Sequence, residues 1–150
     1  MVQVRTATIA DLGRLREIRH AAFSAQAPNV YSPQEVENLL GDLDEAELAD
    51  MIDEHQVFVA IADGEIQGLA GWRRINLRHV YVAPGAERKG IGSQLVRHAE
   101  RDFKNRTGES EIRVGSVLYA KGFYEANGYE VLGKDTAWDG SEFYRMIKRL

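Results

Sequence analysis

Cysteine is absent from this 150-residue chain, which excludes disulfides, thiolate zinc sites, iron–sulfur clusters and a cysteine nucleophile. Proline is scarce, standing only at Pro28, Pro33 and Pro84, and no low-complexity tract or internal repeat interrupts the sequence. One continuous domain over residues 1–150 is expected, long enough to bury roughly 70% of the surface exposed by its unfolded form. No apolar run approaches the ~20 residues of a membrane span, and the opening MVQVRTATIADL lacks a basic-then-apolar leader. These absences lead to the expectation of a soluble, cytoplasmic protein without a membrane partner. Positive charge is in slight deficit, 19 Lys and Arg against 23 Asp and Glu, which argues against nucleic acid as a partner.

That deficit is local. Nine acids (Glu35, Glu37, Asp42, Asp44, Glu45, Glu47, Asp50, Asp53 and Glu54) stand between Tyr31 and His55 with no Lys or Arg among them, so the remainder of the chain is net basic. Two readings fit the run: the solvated faces of amphipathic helices, or a one-signed field that steers a cationic ligand.

The hydrophobic periodicity predicts a short strand at residues 2–5, then a helix entered through Thr8 and Asp11 with Leu12, Leu15, Ile18 and Ala22 on one face. Ser32-Pro33 with Glu35 starts a second helix, and a third lies around 44–53. The period then changes to two. Strands at 56–62 and 65–72 flank Asp63-Gly64, a strong hairpin signal, and a further strand covers 77–82. Ile91, Leu95, Ala99 and Phe103 mark a helix running to about 104. A strand at 112–114, a helix over 117–127 closed by Gly128, and strands near 129–132 and 142–148 complete an α+β pattern with a mixed, mainly antiparallel sheet.

The most informative stretch is the strand Val80-Tyr81-Val82, the turn Ala83-Pro84-Gly85, and then Glu87-Arg88-Lys89-Gly90-Ile91-Gly92-Ser93 opening a helix. Glycines here let the backbone turn tightly, the first helical turn offers unpaired N–H groups, and the helix dipole favours an anion. Arg88 and Lys89 add two positive charges. A phosphate or pyrophosphate suits such a segment, although glycines before a helix also serve merely as turns. A phosphate-binding P-loop fails because Ile91-Gly92 occupies the Lys-Ser/Thr positions, and a dinucleotide fingerprint is weak because Leu95 stands where its third glycine belongs.

The same segment resembles the acyl-CoA-binding motif of the GNAT superfamily of N-acetyltransferases, Gln/Arg-x-x-Gly-x-Gly/Ala, with the glycines at Gly90 and Gly92 and Glu87 where Gln or Arg is usual. Ala120, Phe123-Tyr124-Glu125 and Gly128-Tyr129 are similar to the family's second signature. The resemblance implies a single-domain GNAT fold with acetyl-CoA as cosubstrate, held by Val80, Tyr81 and Val82 of a splayed central strand and by Arg88, Lys89, Gly90, Ile91, Gly92 and Ser93 around the pyrophosphate. It implies direct transfer of an acetyl group to a primary amine, a small molecule or a peptide, with Tyr124 as general acid. Packing in the core is the competing account of Phe123 and Tyr124.

Asn76 stands where many members carry a basic Glu, leaving His79 as a substitute base beside deprotonation through water. Tyr31 and Trp72 fall near the acceptor site by resemblance, and core packing explains them as well. The histidines show no metal-ligand spacing, and no metal is expected. The alternative to an enzyme is a sensor or interaction module that binds acyl-CoA without turnover, and a homodimer is left open.

Overall fold

The computed structural model describes residues 2–41, 45–87 and 89–150. Local signals start its first helices. The Asp11 carboxylate accepts the Thr8 backbone N–H at 2.8 Å just before helix α1 (Leu12–Gln26), and Arg5 of strand β1 (Gln3–Thr6) donates to the same carboxylate at 2.8 and 3.1 Å. At helix α2 (Pro33–Gly41), Ser32 and Glu35 satisfy each other's backbone N–H in a reciprocal cap, at 3.1 and 2.9 Å. Helix α3 (Glu45–Asp53) turns Leu48, Met51 and Ile52 into the core. Asp63 and Gly64 both have positive φ, the conformation of a two-residue hairpin turn, between β2 (Val57–Ala62) and β3 (Glu65–Arg73).

The chain continues through β4 (Asn76–Val82), α4 (Ile91–Thr107), β5 (Glu111–Val117), α5 (Lys121–Ala126), β6 (Glu130–Thr136) and β7 (Glu142–Arg149). The seven strands form one sheet in the order β1-β2-β3-β4-β5-β7-β6, antiparallel except between β4 and β5. The helix expected over 117–127 is shorter than its signal. Strand β5 pairs with β7 as far as Val117↔Phe143, so residue 117 belongs to the sheet, and a single 3₁₀ turn, Leu118–Ala120, precedes α5.

The two faces of the sheet carry different helices. Trp72 of β3 meets Phe103 of α4 edge-on at 5.3 Å, and a Cβ on Gly68 would touch Leu95 and Ile91 of α4, so α4 covers the face bearing Gly68 and Trp72. A Cβ on Gly71 would instead lie 2.9 Å from Met51, which puts α3 on the other face.

Two irregularities in β4 open the sheet. Its parallel pairing with β5 is confined to Asn76↔Arg113 and Leu77↔Val114; beyond these, β4 stays with β3 as far as Val82↔Gly68 while β5 stays with β7. Between Gly71↔Arg78 and Leu69↔Tyr81, two residues of β4, His79 and Val80, stand opposite Ala70 alone, and His79 adopts φ +58°. This is a β-bulge, which bends its strand and leaves a residue out of the ladder.

Candidate active site

A cleft of about 950 Å³ occupies the gap where β4 and β5 part. His79, Val80, Tyr81, Val82, Gly90, Ile91, Gly92, Ser93 and Tyr124 all line it, so the structure brings together nine of the residues singled out from sequence. Lys89 is exposed and does not line the cleft, and Arg88 lies outside the described residues. Tyr31 and Trp72 do not line it either. The Tyr31 hydroxyl donates to the Glu142 carbonyl at 2.9 Å and accepts the Leu118 N–H at 3.0 Å, while the Trp72 indole donates to Asp102 at 2.8 Å. For these two, core packing is what the structure shows.

On the α4 face the site is made largely of main chain. Gly90, at φ +75°, is the N-cap of α4 and has no side chain with which to cap it, and the first helical hydrogen bond runs from the Gln94 N–H to the Gly90 carbonyl at 3.0 Å. The N–H groups of Ile91, Gly92 and Ser93 precede that bond and have no partner within the helix, the arrangement that receives an anion. Glu87 does not compete for them: its carboxylate accepts the Gly85 N–H at 2.7 Å and so closes the preceding turn. Gly92 has a reason of its own. A Cβ there would lie 2.9 Å from the Phe123 ring, so the second glycine of the loop is required by the aromatic pair of α5.

On the face carrying α1 and α3, side chains build the site. His79 is almost fully buried, its Nε2 3.1 Å from Glu47 Oε1, and the same oxygen takes Arg78 Nη2 at 3.0 Å. Burial and the charges of Arg19 and Arg78 pull the His79 pKa down to about 4 despite the hydrogen bond to Glu47, so the imidazole is neutral at pH 7. A carboxylate only accepts, so neutral His79 donates its Nε2–H to Glu47. Tyr119 and Phe143 complete this wall.

Tyr124 stands between the two faces. Burial, with smaller contributions from Tyr81 and Tyr119, raises its phenol pKa well above the ordinary value, and the hydroxyl keeps its proton at every working pH. Its ring packs edge-on against Phe123 at 5.1 Å and Tyr129 at 5.6 Å. Tyr129 in turn donates to buried Glu100 of α4 at 2.7 Å, and Lys148 of β7 reaches the other Glu100 oxygen at 3.0 Å. Three elements are thereby fastened behind the phenol. Glu47 and Tyr119 were missed by sequence reasoning: Glu47 was one of nine acids in a run, and no motif marks Tyr119. Among the described residues, no group of three or more His, Asp or Glu could hold a metal ion.

The cleft thus joins a helix start whose N–H groups suit an anion, an opening in the sheet and a buried phenol. The model of the acetyltransferase (GNAT) domain family matches residues 27–150, and the chain belongs to that family, that of acyl-CoA-dependent N-acetyltransferases. It is 26% identical over 131 residues to the uncharacterized N-acetyltransferase YafP of Escherichia coli K12, covering 87% of this chain and 83% of that protein. Among solved structures, a GCN5-related N-acetyltransferase from Rhodopseudomonas palustris superposes with a TM-score of 0.88 at 22% identity, over 99% of this chain and 95% of that one. The PaiA N-acetyltransferase of Thermoplasma acidophilum, solved in complex with coenzyme A, gives 0.79 at 24% identity, over 100% and 99% of the two chains. The α+β sheet expected from sequence is the fold these structures share.

Proposed function

We propose that the protein transfers an acetyl group from acetyl-CoA to a primary amine, with Tyr124 as the general acid. The observation that carries this reading is the cleft itself, with N–H groups that have no helical partner at the start of α4 on one side and a phenol that rests in its protonated form within it. The backbone at Ile91, Gly92 and Ser93, with Gly90 allowing the turn, would hold the pyrophosphate, and the β4 edge at Val80 and Val82, unpaired by β5, would hold the arm that carries the acyl group. Bound acetyl-CoA supplies a thioester as acyl donor. The amine nitrogen forms a bond to the acyl carbon, the carbon–sulfur bond breaks, and the Tyr124 hydroxyl supplies a proton to the departing sulfur and takes one back from solvent. The proton lost by the amine goes to water. His79 is unsuited to that task, since an imidazole of pKa about 4 is far too weak to deprotonate an ammonium with a pKa near that of lysine. Ala22 and Gln26 of α1 line the cleft ahead of the family match at residue 27, which supports a domain over 1–150.

For the acceptor, a cation is the reading we carry forward from the acid run, on narrower ground. Glu45 is paired with Arg16, and Glu47 with Arg78 and His79. Glu35, Asp139 and Glu142 bear on Tyr31, outside the cleft; of these Glu142 lies 3.6 Å from Lys134 and is next in sequence to the cleft residue Phe143, so the acidic charge nearest the opening is carried by that end of β7. No helix of the described residues is long and apolar enough to cross a membrane, and we take the site of action to be the cytoplasm.

The test combines two measurements, thermal stability with acetyl-CoA and thiol release over a panel of polyamines, basic peptides and anionic amino acids. Ligand at 100 times Kd stabilises by about 2.7 kcal/mol, a clear rise in Tm. Thiol release with cationic amines, faster at low salt, supports the full reading. Preference for anionic acceptors removes its cationic part, and a thermal shift with no turnover on any amine makes the protein a binding module.

A further inference from the structure

Four described residues other than glycine have positive φ: His55, Asp63 and Arg74 lie in turns between elements, and His79 alone lies within a strand. A left-handed backbone costs an ordinary L-residue about 1–2 kcal/mol, and it persists only where the surroundings hold it. At His79 the holding group is visible. Glu47 reaches across from α3 and places one carboxylate oxygen against both Arg78, the last paired residue before the bulge, at 3.0 Å and His79, the first residue of the bulge, at 3.1 Å, while its other oxygen lies 4.0 Å from Arg73 on β3. The bulge begins at His79, two residues after the last β4–β5 pair, Leu77↔Val114, so it sets the direction in which the next peptide, that of Val80, enters the opening.

We propose that Glu47 and His79 form a latch that holds the β4 bulge in the conformation that turns the Val80 backbone into the cleft, making both of them positioning residues for acetyl transfer. The latch rests on the acetyltransferase reading above for its effect on rate, and on the geometry of β4 alone for its effect on structure. A neutral imidazole whose Nε2–H is given to Glu47 has no proton to exchange with substrate on that side; its contribution is a fixed distance between α3 and the bulge. Glycine at 79 would accept the left-handed backbone at no steric cost and lose the latch. Glutamine carries its amide N–H as far from the backbone as the imidazole Nε2 and so keeps a donor for Glu47.

The experiment compares His79→Gly, His79→Gln, Glu47→Ala and Glu47→Gln in the full chain. It uses kcat and KM with acetyl-CoA and the best amine of the panel, the thermal shift with acetyl-CoA, and the Val80 amide resonance. His79→Gly and Glu47→Ala are expected to lower kcat at least tenfold, to leave the acetyl-CoA shift in place and to move the Val80 amide resonance. His79→Gln and Glu47→Gln should recover kcat to within a few-fold. The double variant His79→Gly with Glu47→Ala should be no worse than either single change, as for two halves of one contact. Wild-type kcat in His79→Gly, a loss that His79→Gln does not recover, or additive losses in the double variant would each overturn the latch. A wild-type protein that releases no thiol with any amine overturns the acetyltransferase reading instead, and the Val80 resonance then decides the latch by itself: an unmoved signal in His79→Gly overturns it.

Discussion

On the α4 face of the cleft the protein offers main-chain N–H groups set out by Gly90, Ile91, Gly92 and Ser93, whereas on the face of α1 and α3 it offers charged and aromatic side chains, Arg78, His79, Tyr81 and Tyr119, held in part by Glu47. Backbone donors do not depend on which side chains surround them. That is why Glu87, in a place where Gln or Arg is usual, can turn back to the Gly85 N–H without dismantling the anion site. Side-chain contacts such as Glu47 to His79 depend on particular partners far apart in sequence. On the proposed reading, binding of the donor's anionic head rests on the face least sensitive to substitution, and the contacts that need particular partners rest on the other.

The largest effect is expected where the faces meet. Tyr124→Phe keeps the ring packing and removes only the hydroxyl, so kcat should fall by about 10²-fold or more while the acetyl-CoA thermal shift persists; steady-state kinetics beside a melting curve checks both. An unchanged kcat would move the acid to another group and weaken the idea that the two faces converge on this phenol. Next in size, Gly92→Val tests how far the α4 face is truly main chain. Its Cβ would run into the Phe123 ring, with an overpacking cost of about 1–3 kcal/mol read from denaturant unfolding, and Phe123→Leu in the same chain should restore part of it.

The side-chain face alone should be acid-labile through His79. With a folded pKa of about 4 against 6.5 unfolded, this residue binds its proton more readily in the unfolded chain, so stability is lost as pH falls from 6.5 towards 4 and is unaffected above that window. The groups that bear on it are Glu47, Arg19 and Arg78. Wild type should lose about 2–4 °C more in Tm than His79→Asn for each kcal/mol lost to this one proton, between pH 7 and pH 4.5. The smallest effect belongs to Lys89→Ala. An exposed cation outside the cleft should change acetyl-CoA affinity no more than a few-fold, and less at high salt.

What could be read from the sequence was whatever local chemistry decides. Asp63-Gly64 determines a two-residue turn, Ser32 with Glu35 determines a helix start, and Gly90 with the residues after it determines an uncapped helix end, each within a few positions of itself. The overlong helix at 117 arose because Val117 is claimed by pairing with Phe143, a contact that helical periodicity does not register. Glu47 was hidden for the same reason. Its partner His79 is 32 residues away, and in an acidic stretch one carboxylate looks like the next. Gly92 was legible as a glycine that something must approach, but the approaching group is Phe123, which only packing reveals.

Strand β7 is last in the sequence yet lies between β5 and β6 in the sheet. Strand β5 therefore has only its two-pair contact with β4 until residues as late as 149 are available to complete its other edge, from Glu111↔Arg149 to Val117↔Phe143. Phe143, which walls the cleft, and Lys148, which reaches Glu100 behind Tyr129, arrive with the same strand. During synthesis the hairpin and α4 can form early, being local in sequence, but the gap between β4 and β5 has only one stable side until β7 docks. A ribosome-bound chain halted near residue 130 would present β5 as an unprotected edge, the kind of surface that pairs with other chains, so the completion of the cleft and the removal of an aggregation hazard are one event in folding.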